Sequence, residues 1–341
     1  MMNHCWHGSL FLVCLIVFSA GLSGQSRADD GDAAGEKLKA LIVDGQNNHN
    51  VWPKSTQMMR DYLEETGMFE VDIYRTRFTS NGTRFGDDFK LDDGKKYKDF
   101  KRKSKTDNEF APVFSDYDVV VSNFGHGAAP WPEKTQAAFE EYMAAGGGFV
   151  SVHAADNSFP KWEAYNLMIG LGGWGGRTEK SGPYVYFDKS EKLVRDTSKG
   201  KGGDHGRQHE FAVVVREPDH PVMEGIPTRF MHAKDELYQT LRGPAENMSV
   251  LATAFADKKH KGTGRHEPVV MTIKYKEGRI FHTPLGHDDY SFESVALISL
   301  LQRGSEWAAT GKVTIPVPDD FPNDEKSSSR KYETKVPALA K

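Results

Sequence analysis

The chain contains 341 residues, 38% of them hydrophobic and 27% charged, which is ordinary for a globular protein with a sizeable core. Its formal net charge is −4 at pH 7, so it lacks the basic excess with which proteins bind nucleic acids. These values exclude nucleic acid as the expected partner and favour a small molecule.

The N-terminal segment resembles a secretory signal peptide. Residues 10–22 form an apolar run that is short for a membrane span, and residues 26–28 after it resemble a small-x-small cleavage site. We therefore expect a signal peptide over residues 1–28 and a secreted or periplasmic mature protein. No Lys or Arg precedes the apolar run, so an uncleaved anchor is the alternative. Both cysteines, Cys5 and Cys14, lie in this segment, which leaves the mature chain without thiol chemistry.

The first half of the mature chain alternates strand and helix patterns. Continuous apolar runs are typical of strands buried on both faces, and Pro132 suits the first turn of a helix. The predicted elements are strand 37–44, helix 54–65, strand 69–74, strand 118–122, helix 132–145, a short apolar strand that ends at His153, and helix 162–170.

Shorter strands dominate the second half. They are predicted at 184–187, 210–216, 236–241, 249–256, 268–275 and 279–283, followed by a closing helix at 291–309. The last two strands flank a Glu-Gly turn and predict a hairpin. The pattern predicts one α/β domain over residues 37–311, in which a mainly parallel sheet carries an antiparallel extension.

Two segments have a composition that is poor for core formation. Residues 75–112 are rich in Lys, Asp, Gly and Arg, which predicts an exposed charged insertion, with a basic patch for an acidic polymer as the alternative. Residues 312–341 are rich in Pro, Asp, Ser and Lys, so we expect a C-terminal tail that is largely disordered. The glycines at 172–176 lack the GxGxxG arrangement of a dinucleotide site and form either a lid or a simple connection.

Histidines mark the candidate site. His153 follows an apolar strand that would fix its direction, and ligands gather outside the carboxyl ends of strands in open α/β sheets. His49 lies on the loop after the first strand and so belongs to the same rim. The alternatives are a buried His153 ring bonded to a backbone carbonyl, and a His49 that caps a turn.

Carboxylates accompany these histidines. His287 follows a strand and a glycine, and Asp288 is placed to orient its second nitrogen. Asp235 and Glu236 stand at the start of a predicted strand, where Glu236 is a candidate general acid, general base or metal ligand; a solvated carboxylate is the alternative. No spacing matches a metal signature such as HExxH, so a metal is not assigned by spacing.

Several separated motifs resemble one known family. They are, in chain order, KALIVDG, YDVVVSNFG, GGGFVSVHAADNSF, DHPVMEGIP, DELY, VLATA and GRIFHTPLGHD. This order resembles the trehalose utilisation (ThuA-like) family of the class I glutamine amidotransferase-like superfamily, over roughly residues 38–309. The resemblance implies a flavodoxin-like doubly wound α/β fold. The related amidotransferases carry a nucleophilic cysteine after the strand that here ends in His153, so glutaminase chemistry is not expected.

The resemblance also implies carbohydrate catabolism, acting on a trehalose-like disaccharide or its keto derivative alongside a sugar oxidoreductase. We expect His153, Glu236 and His287 to be catalytic, with a divalent metal as a candidate cofactor. The expected substrate-binding residues are His49, Trp52, His126, Asp156, His220, Asp235 and Asp288. The alternative is a catalytically silent carbohydrate-binding module that retains the fold.

Overall fold

The computed structural model describes residues 36–80, 85, 88–100 and 103–334, so the predicted signal peptide over 1–28 lies outside the described residues. One compact unit begins at Lys37. Within the described ranges, no helix has the length and apolar character needed to cross a membrane.

Strands and helices are numbered here in chain order. The strands are β1 Leu38–Asp44, β2 Phe69–Arg75, β3 Phe78–Ser80, β4 Lys98–Phe100, β5 Val119–Ser122, β6 Gly148–Val152, β7 Tyr184–Phe187, β8 Leu193–Asp196, β9 Asp204–His205, β10 His209–Val215, β11 Arg229–Asp235, β12 Tyr238–Gln239, β13 Met248–Phe255, β14 His266–Tyr275 and β15 Gly278–Thr283. The α-helices are α1 Trp52–Glu65, α2 Glu133–Ala144, α3 Glu163–Ile169, α4 Asp289–Phe292 and α5 Val295–Thr310.

The parallel half of the main sheet has the strand order β2-β1-β5-β6-β15. Every residue of β5 and β6 is buried, as their apolar runs predict for strands covered on both faces. Because these strands are parallel, their carboxyl ends meet at one edge of the sheet. The loops that carry His49, His126, His153 and His287 therefore begin at a common edge.

The antiparallel half continues from β15 in the order β14-β13-β10-β11, with β7 paired to β14 and β8 paired to β7. The predicted hairpin is confirmed as β14 and β15, which pair antiparallel from Met271↔His282 to Tyr275↔Gly278. These two halves confirm the expected flavodoxin-like class, a doubly wound sheet with an antiparallel extension.

Helices cover both faces of the sheet. Alternate residues of β1 point to opposite sides: Ile42 packs with α1 and α5, whereas Leu41 packs with α2 and α3. This alternation follows from the two-residue period of a strand. The core is therefore divided into two layers, one on each face of the sheet. Because the helices cover the faces, the edge that carries the loops is left free for a site.

The sequence did not predict strand β11. As a result, Asp235 and Glu236 were assigned to the wrong end of a strand. Its sequence RFMHAKD looks polar, yet His232 and Asp235 are fully buried in it. The strand predicted at 236–241 shrinks to the two residues of β12. Asp235 is therefore the last residue of a strand and Glu236 follows it, rather than the two standing at the start of one.

The charged segment 75–112 is only partly exposed. Arg75 is buried and donates to both carboxylate oxygens of Asp44, at 2.8 and 2.7 Å. Phe110 is buried in the core layer formed with α2 and α3. The segment is thus joined to the domain at both of its ends, while β3 and β4 form a small separate sheet between them.

The expectation of a largely disordered tail is wrong for residues 312–334. Glu306 in α5 accepts hydrogen bonds from the backbone N–H of Ile315, and the N–H of Met231 in the edge strand β11 donates to the carbonyl of Asn323 at 2.7 Å. Phe321 and Tyr332 pack against the core. The polar composition of the tail gives no indication of these contacts. The tail covers the edge of β11, which would otherwise expose unpaired backbone groups.

We expect a chain that ends at Gly311 to lose about 3 kcal/mol or more of folding free energy, because it uncovers β11 and loses the buried side chain of Ile315. Urea denaturation of the two proteins measures this difference. The surface substitution Glu277→Gln in the full-length chain is the control and should keep the wild-type midpoint. Equal midpoints for all three chains would contradict a structural role for the tail.

Candidate active site

Four side chains converge beyond the loop edge of the sheet. His49, His153, Glu236 and His287 each place one potential ligand atom within 4.8 Å of the others. Three of them lie on the loops after β1, β6 and β15, and Glu236 follows β11. We call these four residues the His/Glu cluster. The three residues expected to be catalytic are thus brought together, and His49 joins them.

His153 occupies a strained position directly after β6. Its φ of 45° lies in the left-handed region, which costs a residue other than glycine about 1–3 kcal/mol. The buried ring donates from Nδ1 to the carbonyl of Pro284 at 2.8 Å, and burial lowers its pKa. The ring of His153 is therefore bonded to a backbone carbonyl, as the alternative interpretation expected. It also belongs to the cluster, because its second nitrogen, Nε2, faces the other side chains.

His49 is held as a neutral imidazole. Its Nδ1 lies 3.2 Å from the side-chain oxygen of Asn47, an acceptor, so that nitrogen carries the hydrogen. Its ring centre lies 4.6 Å from that of His153 and 4.8 Å from that of His287. Burial, with these neighbouring imidazoles, lowers the pKa of His49 to about 2. Its Nε2 consequently keeps a free lone pair at neutral pH.

Glu236 presents one carboxylate oxygen to each of two histidines. Its Oε1 lies 3.0 Å from Nδ1 of His205, and its Oε2 lies 3.0 Å from Nδ1 of His287. Burial alone would raise the pKa of Glu236, but the neighbouring imidazoles, above all His287, lower it below its ordinary value. The carboxylate is therefore ionised at neutral pH.

The donor set fits a divalent transition metal. In His49 and His153 the Nδ1–H is engaged by an oxygen, which is how metal-binding histidines are usually oriented, with Nε2 left as the ligand. The buried Nδ1 of His287 has no partner in hydrogen-bond geometry. This nitrogen lies 3.0 Å from Oε2 of Glu236. Two ligand atoms that each lie about 2.1 Å from the same ion can be this far apart. Imidazole and carboxylate ligands together suit Zn²⁺ and its neighbours.

Asp235 supports the cluster from beneath. Its Oδ2 accepts from Nε2 of His232 and the N–H of Gly286, both at 2.8 Å, and its Oδ1 accepts from the N–H groups of Glu236 and His287, at 2.8 and 3.0 Å. Burial would raise the pKa of Asp235, but the hydrogen bond from His232 lowers it well below its usual range. Expected to bind substrate, Asp235 is fully buried and instead positions the loop of His287.

Two other expected substrate ligands are also buried. Asp156 has no exposed surface and lies 3.3 Å from Nε2 of His282, behind the cluster. Trp52 is 3% exposed, and the guanidinium of Arg75 stacks on its ring at 4.5 Å. Both side chains are therefore engaged with protein partners, His282 for Asp156 and Arg75 for Trp52, and neither belongs to the His/Glu cluster.

The three remaining expected residues lie around or away from the cluster. His220 packs against Trp307, with ring centres 5.1 Å apart, and its Nδ1 accepts from the N–H of Val222, so it is not brought to the site. His126 is exposed and lines a cavity of about 360 Å³ that also borders Trp162. The side chain of Asp288 accepts from the N–H of Asp289 and so caps α4.

Sequence reasoning missed two residues that contact the cluster. His205 contacts Glu236, as described above. The hydroxyl of Tyr238 lies 3.1 Å from Nε2 of His153 and accepts from Nδ2 of Asn157 at 3.1 Å. Burial raises the pKa of Tyr238 well above its ordinary value, so it stays protonated. Side chains of an extended segment alternate between its two sides, so residues 236 and 238 lie on the same side. This spacing within DELY could have predicted that Tyr238 lies near Glu236.

The fold and the site define a doubly wound α/β protein with a histidine and carboxylate centre at its loop edge. A family model described as trehalose utilisation matches residues 39–308, and the chain belongs to this ThuA family. The chain is similar to the crystal structure of a ThuA-like protein from Parabacteroides merdae, with 42% identity, a TM-score of 0.75 and coverage of 86% of this chain and 98% of that chain.

A second solved structure, a ThuA-like protein from Bacteroides uniformis, shares 18% identity at a TM-score of 0.49, covering 81% of this chain and 93% of that chain. Among the curated proteins, none matches the chain significantly. The comparisons therefore establish family membership and a function related to trehalose utilisation.

Replacing Asp235 with Asn should cost about 3–5 kcal/mol of folding free energy, because it removes one partner of a fully buried, hydrogen-bonded pair with His232. Urea denaturation measures the loss. The exposed carboxylate Glu277 provides a control, because Glu277→Gln should leave the midpoint unchanged. A small effect, below about 1 kcal/mol, would contradict the supporting role given to Asp235.

Proposed function

We propose that this protein is a carbohydrate-catabolic enzyme that acts on a trehalose-like disaccharide or its keto derivative, with a divalent metal held by His49, His153, Glu236 and His287. The observation that carries the proposal is the orientation of the cluster. Three imidazoles and one ionised carboxylate point their free atoms at one space, and oxygen acceptors fix the tautomers of two of the imidazoles.

A 3-keto disaccharide offers chemistry that suits these groups. The hydrogen on C2 is acidic because it lies beside the C3 carbonyl. We propose that Oε2 of the ionised Glu236, which faces His287, holds the metal, and that Oε1, which faces His205, removes this hydrogen as a general base. The electron pair from that C–H bond passes through the enolate and expels the glycosidic oxygen from C1. His205, 3.0 Å from Glu236, is the group proposed to carry the proton to the departing oxygen. When bound, a divalent metal supplies Lewis-acid stabilisation of the carbonyl oxygen.

The proposed substrate implies a partner reaction and a location. A keto sugar must be supplied by oxidation of a hydroxyl, so we propose functional coupling to a sugar oxidoreductase. The N-terminal sequence supports a secreted or periplasmic location for both the chain and its substrate. A silent carbohydrate-binding module remains the competing proposal, and turnover separates the two.

The first expected result is metal binding. The mature chain should bind about one equivalent of Zn²⁺, and His287→Ala should weaken this binding by at least about tenfold, because it removes one of four ligands. Titration calorimetry with Zn²⁺ alone gives both affinities. His220→Ala, which changes a histidine outside the cluster, should bind as the wild type does. Equal affinity in His287→Ala would place any bound metal elsewhere.

The second expected result is turnover of 3-ketotrehalose. Glu236→Gln should lower kcat by about 10²–10⁴, the usual worth of a general base, while the sugar still binds. Product release measured by chromatography decides this, with His153→Ala tested beside it and His220→Ala as the control. Unchanged turnover in Glu236→Gln or His153→Ala would remove the proposed role. Binding of the sugar without turnover under any divalent metal would favour the binding module.

A further inference from the structure

Tyr238 stands between the His/Glu cluster and the interior of the protein. It lies in β12, two residues after Glu236, and is 2% exposed. Its ring packs against His153 at a centroid distance of 4.5 Å and against Trp174 at 4.8 Å. The ring is therefore held by packing against two aromatic neighbours.

The directions of the hydrogen bonds around Tyr238 follow from their partners. The carbonyl of Pro284 can only accept, so Nδ1 of His153 carries the hydrogen, and the Nε2 atom of the neutral ring can only accept. Asn157 donates from Nδ2 to the phenol oxygen, so the phenol O–H must point at Nε2 of His153. The result is one chain of donors, from the Asn157 amide through Tyr238 to His153.

This series of hydrogen bonds ends at Nε2 of His153, the same atom that the cluster offers to a metal. With Nδ1 bonded to a carbonyl, Nε2 is the atom of His153 that remains for coordination, and its single lone pair serves either a hydrogen bond or a metal. Resting on the metal-dependent function proposed above, we propose that metal binding at His153 displaces the Tyr238 hydroxyl, which then donates its hydrogen bond to the oxyanion of the substrate.

The displaced hydroxyl is well prepared for this role. Asn157 still occupies one lone pair of its oxygen, and the packing against Trp174 keeps the ring in position. The freed O–H needs a new acceptor, because a buried donor without one is costly. A carbonyl oxygen that gains negative charge during proton removal is such an acceptor. Tyr238 forms and breaks no covalent bond here, and it keeps its proton throughout.

The test is Tyr238→Phe, which keeps the ring and removes the competing O–H. The variant should bind Zn²⁺ about three- to tenfold more tightly, the worth of one neutral hydrogen bond, and kcat for 3-ketotrehalose should fall by about 10²-fold with KM little changed. A purely structural tyrosine would lower affinity and stability together. In the wild type, Zn²⁺ should also perturb the near-ultraviolet tyrosine difference spectrum, and this signal should be absent in Tyr238→Phe.

Tyr165→Phe is the matched control. Tyr165 is equally buried and donates to the carbonyl of Ala155 at 2.8 Å, outside the cluster, so its variant should keep the wild-type Zn²⁺ affinity. Unchanged or weaker Zn²⁺ binding in Tyr238→Phe, absence of Zn²⁺ binding by the wild type, or a tyrosine signal that persists in the variant would overturn the displacement. Unchanged kcat would overturn the donor role. If Zn²⁺ binds more tightly to the variant but neither protein turns over any keto sugar, the proposed substrate fails and the displacement stands.

Discussion

The carboxylate of Asp235 joins the two halves of this protein. It belongs to β11 in the antiparallel half, and it accepts from the backbone of Gly286 and His287 beyond the last parallel strand. Glu236, the next residue, is held beside the histidines because Asp235 binds both the N–H of Glu236 and the loop that carries His287. A single buried group, fully satisfied by His232 and three backbone N–H groups, therefore ties Glu236 to the loop of His287.

The sequence was most informative where periodicity and position decide the outcome. The apolar runs of β1, β5 and β6 identified the parallel half, and the rule that ligands gather at carboxyl strand ends selected His49 and His153. The histidine after a glycine at 287 joined them for the same reason. These features are local in the chain or follow from strand direction, so no knowledge of distant contacts was needed.

The failures arose where a distant partner decides the role of a polar residue. Asp156 is paired with His282, 126 positions away, and Trp52 is covered by Arg75, so neither side chain is available at the rim. The polar strand β11 was missed because its buried His232 is satisfied by contacts that composition does not reveal. The tail was misjudged likewise, since a few apolar side chains, among them Ile315, Phe321 and Tyr332, anchor an otherwise polar stretch.

The left-handed backbone of His153 determines where the side chain at this position points, but not which reaction that side chain supports. The bend after β6 directs whatever side chain stands there toward the loops from the neighbouring strands, and this direction depends on the main chain alone. A strained bend of this kind fixes where a side chain is presented, whereas the residue type at position 153 decides which chemistry that side chain can take part in.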